Sequence, residues 1–199
     1  TDNECIGIGD QLCKPRGSDG CDATCHLETG YLCQGEPSLC GKEIATCGTF
    51  SGSATKRYYV TVDLIPAPSS YCFTIAEADI VLDCLDHTID GSVEGGGIRI
   101  NSVAHNTIVQ NCNLKAKAGL YPLHLRGSGL RNVTVLNVNA CGGANQSIQI
   151  DGTDPQSVNS GGNRCAQDSC IHNNLLGPSN VCNGATMGNP IGNCNSQCS

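Results

Sequence analysis

The feature that most constrains this chain is a pair of short strands that recurs every 25 or so residues. Ile98, Leu123 and Ile148 lie 25 apart, and so do Ile100, Leu125 and Ile150. The residues between them, Arg99, His124 and Gln149, are polar. A second strand repeats beside the first: Asn106–Leu114 aligns without gaps on Asn132–Ala140, 26 residues later, and Ala78–Cys84 is an earlier, looser copy. Such a unit cannot bury its apolar face alone and stacks on copies of itself. The repeat therefore predicts an all-β chain, a short right-handed parallel β-helix of about 25 residues per coil. An antiparallel sandwich also needs many short strands but gives no reason for a fixed period.

Strand side chains alternate, so the aliphatics of Ile-Arg-Ile, Leu-His-Leu and Ile-Gln-Ile point inward. Arg99, His124 and Gln149 then form an outward column, with Asn101, Arg126 and Asp151 in the next one. These are the candidate ligand-facing residues. Arg126 and Asp151, one coil apart, make at most a surface ion pair worth about 1 kcal/mol. Asn111 and Asn137 occupy equivalent positions, where stacked amides can hydrogen-bond along the solenoid axis. Arg57–Ile65 is a β-prone strand, stopped by Pro66 and Pro68. No sustained 3.6-residue apolar period marks a long helix.

Sixteen cysteines are spread over the 199 residues: Cys5, Cys13, Cys21, Cys25, Cys33, Cys40, Cys47, Cys72, Cys84, Cys112, Cys141, Cys165, Cys170, Cys182, Cys194 and Cys198. None forms the paired C-x2-C knuckle of a zinc site, so they read as disulfides of a secreted or cell-surface protein. No metal or other cofactor is expected. The sequence starts at Thr1, with no charged-then-apolar leader in view, as expected of a processed secreted chain. No stretch of 18 apolar residues predicts membrane insertion, and a net charge of −7 argues against nucleic acid as a partner. Asn132-Val-Thr134 and Asn145-Gln-Ser147 are glycosylation sequons, meaningful in a host with that machinery. Three parts are expected: a disulfide module over 1–42, the β-helix over 43–155, and a cysteine-rich cap or assembly segment over 156–199.

Cys47–Phe50, Tyr59–Leu64, Phe73–Cys84 and His87–Gly91 together resemble the opening of secreted right-handed β-helix proteins of the pectin-lyase-like fold. Gly97–Asn101 and Asn106–Cys112 fit the same pattern. The resemblance implies that Cys47 closes onto Cys72 or Cys84, all three lying in the first coil of that pattern. The segment Gly17–Cys40 resembles the cysteine-rich repeat of myxobacterial surface proteins, a stapled spacer, though Cys13-Lys-Pro-Arg-Gly17 replaces its usual acidic stretch. The six cysteines up to Cys40 are expected to pair among themselves.

Enzymatic relatives of the fold would imply catalysis, yet their signatures are missing. Hydrolysis needs paired carboxylates; here there is no Gly-His-Gly turn around His87, His105 or His124. Arg99, Arg126 and Arg131 have no lysine two residues on. A lyase would need carboxylates for calcium. Asp79, Asp83, Asp86 and Asp90 are dense enough, but alternation along one early coil reads as a solvated face and a turn. His26 and His172 read as surface residues. The function expected is an extracellular structural protein, a subunit of a surface fibre that self-associates along the solenoid axis. The alternatives are a carbohydrate-binding module and a polysaccharide lyase or hydrolase.

Overall fold

The computed structural model describes residues 29–34, 39–127, 130–142, 148–151, 156–161, 164–165, 181–182 and 185–186. Over these the chain is all-β, a parallel β-solenoid of about four turns, as the repeat predicts. Its strands, numbered in chain order, form two sheets. The first contains β3 (Gly48–Phe50), β5 (Tyr71–Ile75), β8 (Gly96–Asn101), β10 (Leu123–Arg126) and β12 (Ile148–Asp151), all parallel. The second begins with β1 (Tyr31–Gln34), β2 (Leu39–Ile44), β4 (Arg57–Val60), β6 (Val81–Asp83) and β7 (Thr88–Gly91). It continues through β9 (Ile108–Ala116), β11 (Arg131–Gly142), β13 (Gln156–Gly161), β14 (Arg164–Cys165), β15 (Val181–Cys182) and β16 (Ala185–Thr186).

Register follows the repeat. Ile98 lies opposite Leu123, which lies opposite Ile148, and Ile100, Leu125 and Ile150 match likewise. Ile98, Ile100, Leu123 and Leu125 are fully buried, each apolar side chain contributing roughly 1.5–3 kcal/mol. The side chains of Ile148 and Ile150 lie outside the described residues. In the second sheet Leu82, Val109 and Val135 stack in one inward row, and Ile89, Leu114 and Ala140 in another.

The long strands β9 and β11 turn a corner on asparagine. Asn111 and Asn137 have φ of 53° and 52°, left-handed values that asparagine tolerates better than most residues. The first half of β9 pairs with β6 and its second half with β7. Stacked amides bind the corners together. Asn137 Nδ2 donates to Asn111 Oδ1 at 3.2 Å, and Asn111 Nδ2 donates to Asp83 Oδ1 at 3.0 Å. A second ladder runs Asn132 to Asn106 to Asp79, at 3.0 and 2.8 Å. Each amide donates towards the amino-terminal coil, and each ladder ends on a carboxylate, which only accepts.

The first of these corners is wider than the next. From Asp83 to Thr88 takes five residues where their partners Gln110 to Asn113 take three. The extra two put Leu85 and Asp86 at φ of 47° and 65°. Asp83 closes this corner by accepting from Leu85 N and Gln110 Nε2 as well. The disulfide Cys84–Cys112 crosses to the next coil at the same place, with Cα atoms 4.8 Å apart. Cys47–Cys72 joins the first two coils at 4.6 Å. Both spans match the spacing of adjacent strands, about 4.8 Å, so neighbouring rungs accept a disulfide without backbone movement.

Two expectations are refined. Cys47 closes onto Cys72, one of the two partners implied. The strand expected over 57–65 stops at Val60; Leu64 keeps only an isolated bridge to Ile89, while Val62 and Ile65 are exposed. The cause is a corner at Asp63, whose carboxylate accepts Thr88 N at 2.8 Å.

At the amino-terminal end the antiparallel hairpin β1–β2, stapled by Cys33–Cys40, adds β2 in parallel to β4. Phe50 closes the core beneath it, with ring centroids 4.4 Å from Tyr58 and 5.4 Å from Phe73. At the other end β16 runs antiparallel to β15. Cys141 is disulfide-bonded as well; the pairings expected for the other cysteines lie outside the described residues. No helix among the described residues is long and apolar enough to cross a membrane. The disulfides fit an oxidising environment.

Candidate functional site

The outward column of the five-stranded sheet is built by register. Thr74, Arg99, His124 and Gln149 follow one another on β5, β8, β10 and β12. Three residues earlier in each coil a second row runs Tyr71, Gly96 and Tyr121, since Tyr71 pairs with Gly96 and Gly97 N bonds to Tyr121 O. The glycine between two tyrosines decides the geometry. A Cβ on Gly96 would stand 2.8 Å from Cδ1 and Cε1 of Tyr71, so the ring lies in the space a side chain would fill. Freed in this way, Tyr71 crosses a whole rung. Its hydroxyl reaches Nδ1 of His124, two coils on, at 3.0 Å.

Around this bond the site closes. The Tyr121 ring packs on His124 with centroids 4.9 Å apart, and the Tyr71 ring stands at 5.8 Å. The Arg99 guanidinium lies over Tyr71, 5.6 Å from its centroid, within cation–π range. His124 is only 8% exposed although it points away from the core. Alternation predicted its direction; the two tyrosines cover it. Arg99 is half-buried, and its Nε is buried without a hydrogen-bond partner. The guanidinium rests on one aromatic face, that of Tyr71.

The remaining candidates are more dispersed. Arg126 is exposed and lies opposite Asn101 and Asp151 in register. The side chains of Gln149 and Asp151 lie outside the described residues, as does Asn145. Asn132 is exposed, with its amide committed to the ladder. The early carboxylates do structural work: Asp79 and Asp83 end the ladders, and Asp90 accepts from Ser92 and faces Lys115 at 4.0 Å. Hydrogen bonding from Ser92 holds the Asp90 carboxyl below its ordinary range. Asp63 is held low chiefly by the Thr88 N–H and then by His87, 3.2 Å away. Among the described residues no group of three or more His, Cys, Asp or Glu is placed to hold a metal ion.

Sequence reasoning missed Tyr71 and Tyr121. The signal was present: tyrosine, glycine and tyrosine stand 25 residues apart at 71, 96 and 121, beside the triple glycine 95–97. Chemically the cluster offers aromatic faces, phenol hydroxyls, an imidazole and a guanidinium on one outer face. It can stack on an apolar ring face and donate hydrogen bonds at its rim. In comparisons with known proteins no family model matches this chain, and neither does a curated protein or a solved structure.

Proposed function

We propose that this is a secreted, extracellular module that binds glycan on the outer face of the five-stranded sheet, with carboxylated sugars favoured. The observation that carries this reading is Arg99, whose buried Nε has no hydrogen-bond partner and whose guanidinium rests on Tyr71. Tyrosine and arginine are the residues that most often dominate binding surfaces. Here Tyr71 and Tyr121 supply apolar faces with polar rims, and Arg99 supplies a fork of donors suited to a carboxylate. The resemblance of the chain to the pectin-lyase-like fold agrees with a polysaccharide partner. A hydrolytic role has less support, since a histidine and an arginine do not replace the carboxylate pair that reaction uses.

Titration calorimetry with oligouronides and with neutral oligosaccharides of equal length tests the proposal. Binding of the oligouronide should weaken about tenfold in Arg99→Ala and in Tyr121→Ala, as expected for a central contact. An absence of heat with both ligand classes would remove the glycan reading.

A second reading is a structural subunit that associates through the ends of the solenoid. The observation favouring it is β3, which has no strand beyond it among the described residues and so leaves one edge of the first sheet open.

A further inference from the structure

We infer that the outer face of the five-stranded sheet takes a linear polyanionic glycan lying across the solenoid axis, along β8 and β10, held at several acidic sugars by a band of unpaired cations. This rests on the glycan reading. It narrows that reading from single carboxylated sugars to a chain of acidic ones, and it fixes the direction in which the chain runs.

The band comes from the order of charges in the sequence. From Asp63 to Glu94 there are seven acidic residues and no lysine or arginine. From Arg99 to Ile150 there are five basic residues, Arg99, Lys115, Lys117, Arg126 and Arg131, and no acidic one. In a solenoid the order along the chain is the order along the axis, so blocks of one sign become bands on neighbouring coils. Four of the five cations have no carboxylate partner among the described residues. The ion pairs there use Lys56, His87 and Lys115.

These four cations follow the strand direction. Lys117 leads into Tyr121, and Arg99 lies beside His124 in the middle of the face. Exposed Arg126 closes β10, and exposed Arg131 opens β11. Tyr121 to Arg126 alone spans roughly 16 Å of extended chain. The cluster of Arg99, Tyr71 and Tyr121 makes the central contact, and the other three cations attract further acidic sugars on either side of it.

Along the axis the surroundings differ. From Arg99 the column continues to Thr74 and Thr49, which carry no charge. Lys117 N donates to Gly95 O at 3.1 Å, so the exposed Glu94 lies beside the start of the path. Glu77 and Asp79 follow the end of β5, and Asp151 stands opposite Arg126 in register. Rungs are about 4.8 Å apart, within the Debye length of about 8 Å at physiological salt. A polyanion turned along the axis therefore leaves the cations and meets carboxylates within a rung or two.

Titration calorimetry of the whole oxidised chain tests this, with a uronide disaccharide and with uronide, sulfated and neutral octasaccharides at low and at physiological salt. An anionic octasaccharide should bind tenfold or more tighter than the disaccharide at low salt, an advantage that shrinks as salt is added. The neutral octasaccharide should gain nothing from its length. Lys117→Gln and Arg126→Gln should each weaken the anionic octasaccharide about threefold, the disaccharide less, and flatten the salt dependence. Glu94→Gln, which removes a like charge beside the path, should tighten it. Thr49→Lys adds a cation two rungs from Arg99 along the axis and should change nothing. Equal affinity for short and long anionic chains, or binding indifferent to salt, overturns the inference and leaves the glycan reading standing. So does a gain from Thr49→Lys without a loss from Lys117→Gln and Arg126→Gln. An absence of heat with every saccharide removes both.

Discussion

Asn111 meets three demands at one position: a left-handed φ, a donor towards Asp83 and an acceptor for Asn137. No other side chain meets all three so cheaply. Alanine abandons both hydrogen bonds and tolerates that φ poorly, so Asn111→Ala should cost about 2 kcal/mol in urea unfolding. Asn111→Asp is the sharper variant. At neutral pH it sets a second carboxylate against Asp83, where a donor is needed, and should cost more than alanine does. Protonation restores a donor, so its penalty should shrink as the solution is acidified; a penalty that grows would contradict the ladder. The carboxyls of Asp63 and Asp90 titrate in the other sense. Both are held below their ordinary range in the folded chain, so their contribution is complete above that range and is lost as pH falls through the folded values. Replacing both with asparagine should flatten the acid limb of the stability profile and leave the neutral region little changed in shape.

At the scale of the element, what the sequence makes legible is what the period touches. Strands β8, β10 and β12, the matched corners of β9 and β11, and the stacking of Asn111 on Asn137 all repeat at 25 or 26 residues and could be read directly. The β1–β2 hairpin could not, because it occurs once and its strands are joined across only seven residues by Cys33–Cys40. The burial of His124 was hidden for a different reason. Alternation tells which way a side chain leaves the sheet, not what covers it, and its cover is a tyrosine 53 residues away leaning over a glycine. The widened corner at Cys84–His87 likewise has no counterpart in the later coils, and there the staple replaces regularity. Removing it by Cys84→Ser with Cys112→Ser opens a crosslink of 28 residues and should cost about 3 kcal/mol. The loss should appear as a lower urea midpoint. If the midpoint is unchanged, the corner is held by Asp83 and its three donors alone.

For the molecule as a whole, the two described inter-coil staples and the heavy core lie on the same side. Cys47–Cys72 and Cys84–Cys112 tie together the first three coils, where Phe50, Tyr58 and Phe73 also pack. In two rows of the second sheet the inward side chain ends smaller than it begins: Ile89 gives way to Leu114 and then Ala140, and Leu82 to Val109 and Val135. In these two rows less apolar surface is therefore buried in the last of the three coils, at roughly 25 cal/mol for each Å² lost. A solenoid is stabilised mainly by contacts between neighbouring coils, so a gradient in burial becomes a gradient in local stability rather than being averaged over the fold. Native-state hydrogen exchange should reveal it. Amides of β5, β8 and the first half of β9 should exchange only by global unfolding, with a strong dependence on denaturant. Those in the second half of β11 should exchange sooner, through openings that denaturant barely affects. Ala140→Leu offers a direct check, because the row above it already carries leucine at Leu114. If the gradient arises from the missing volume, that substitution should raise protection in β11 and leave β5 unchanged. Equal protection in all coils of the wild type would instead show a single cooperative unit, in which the staples act on the whole chain at once.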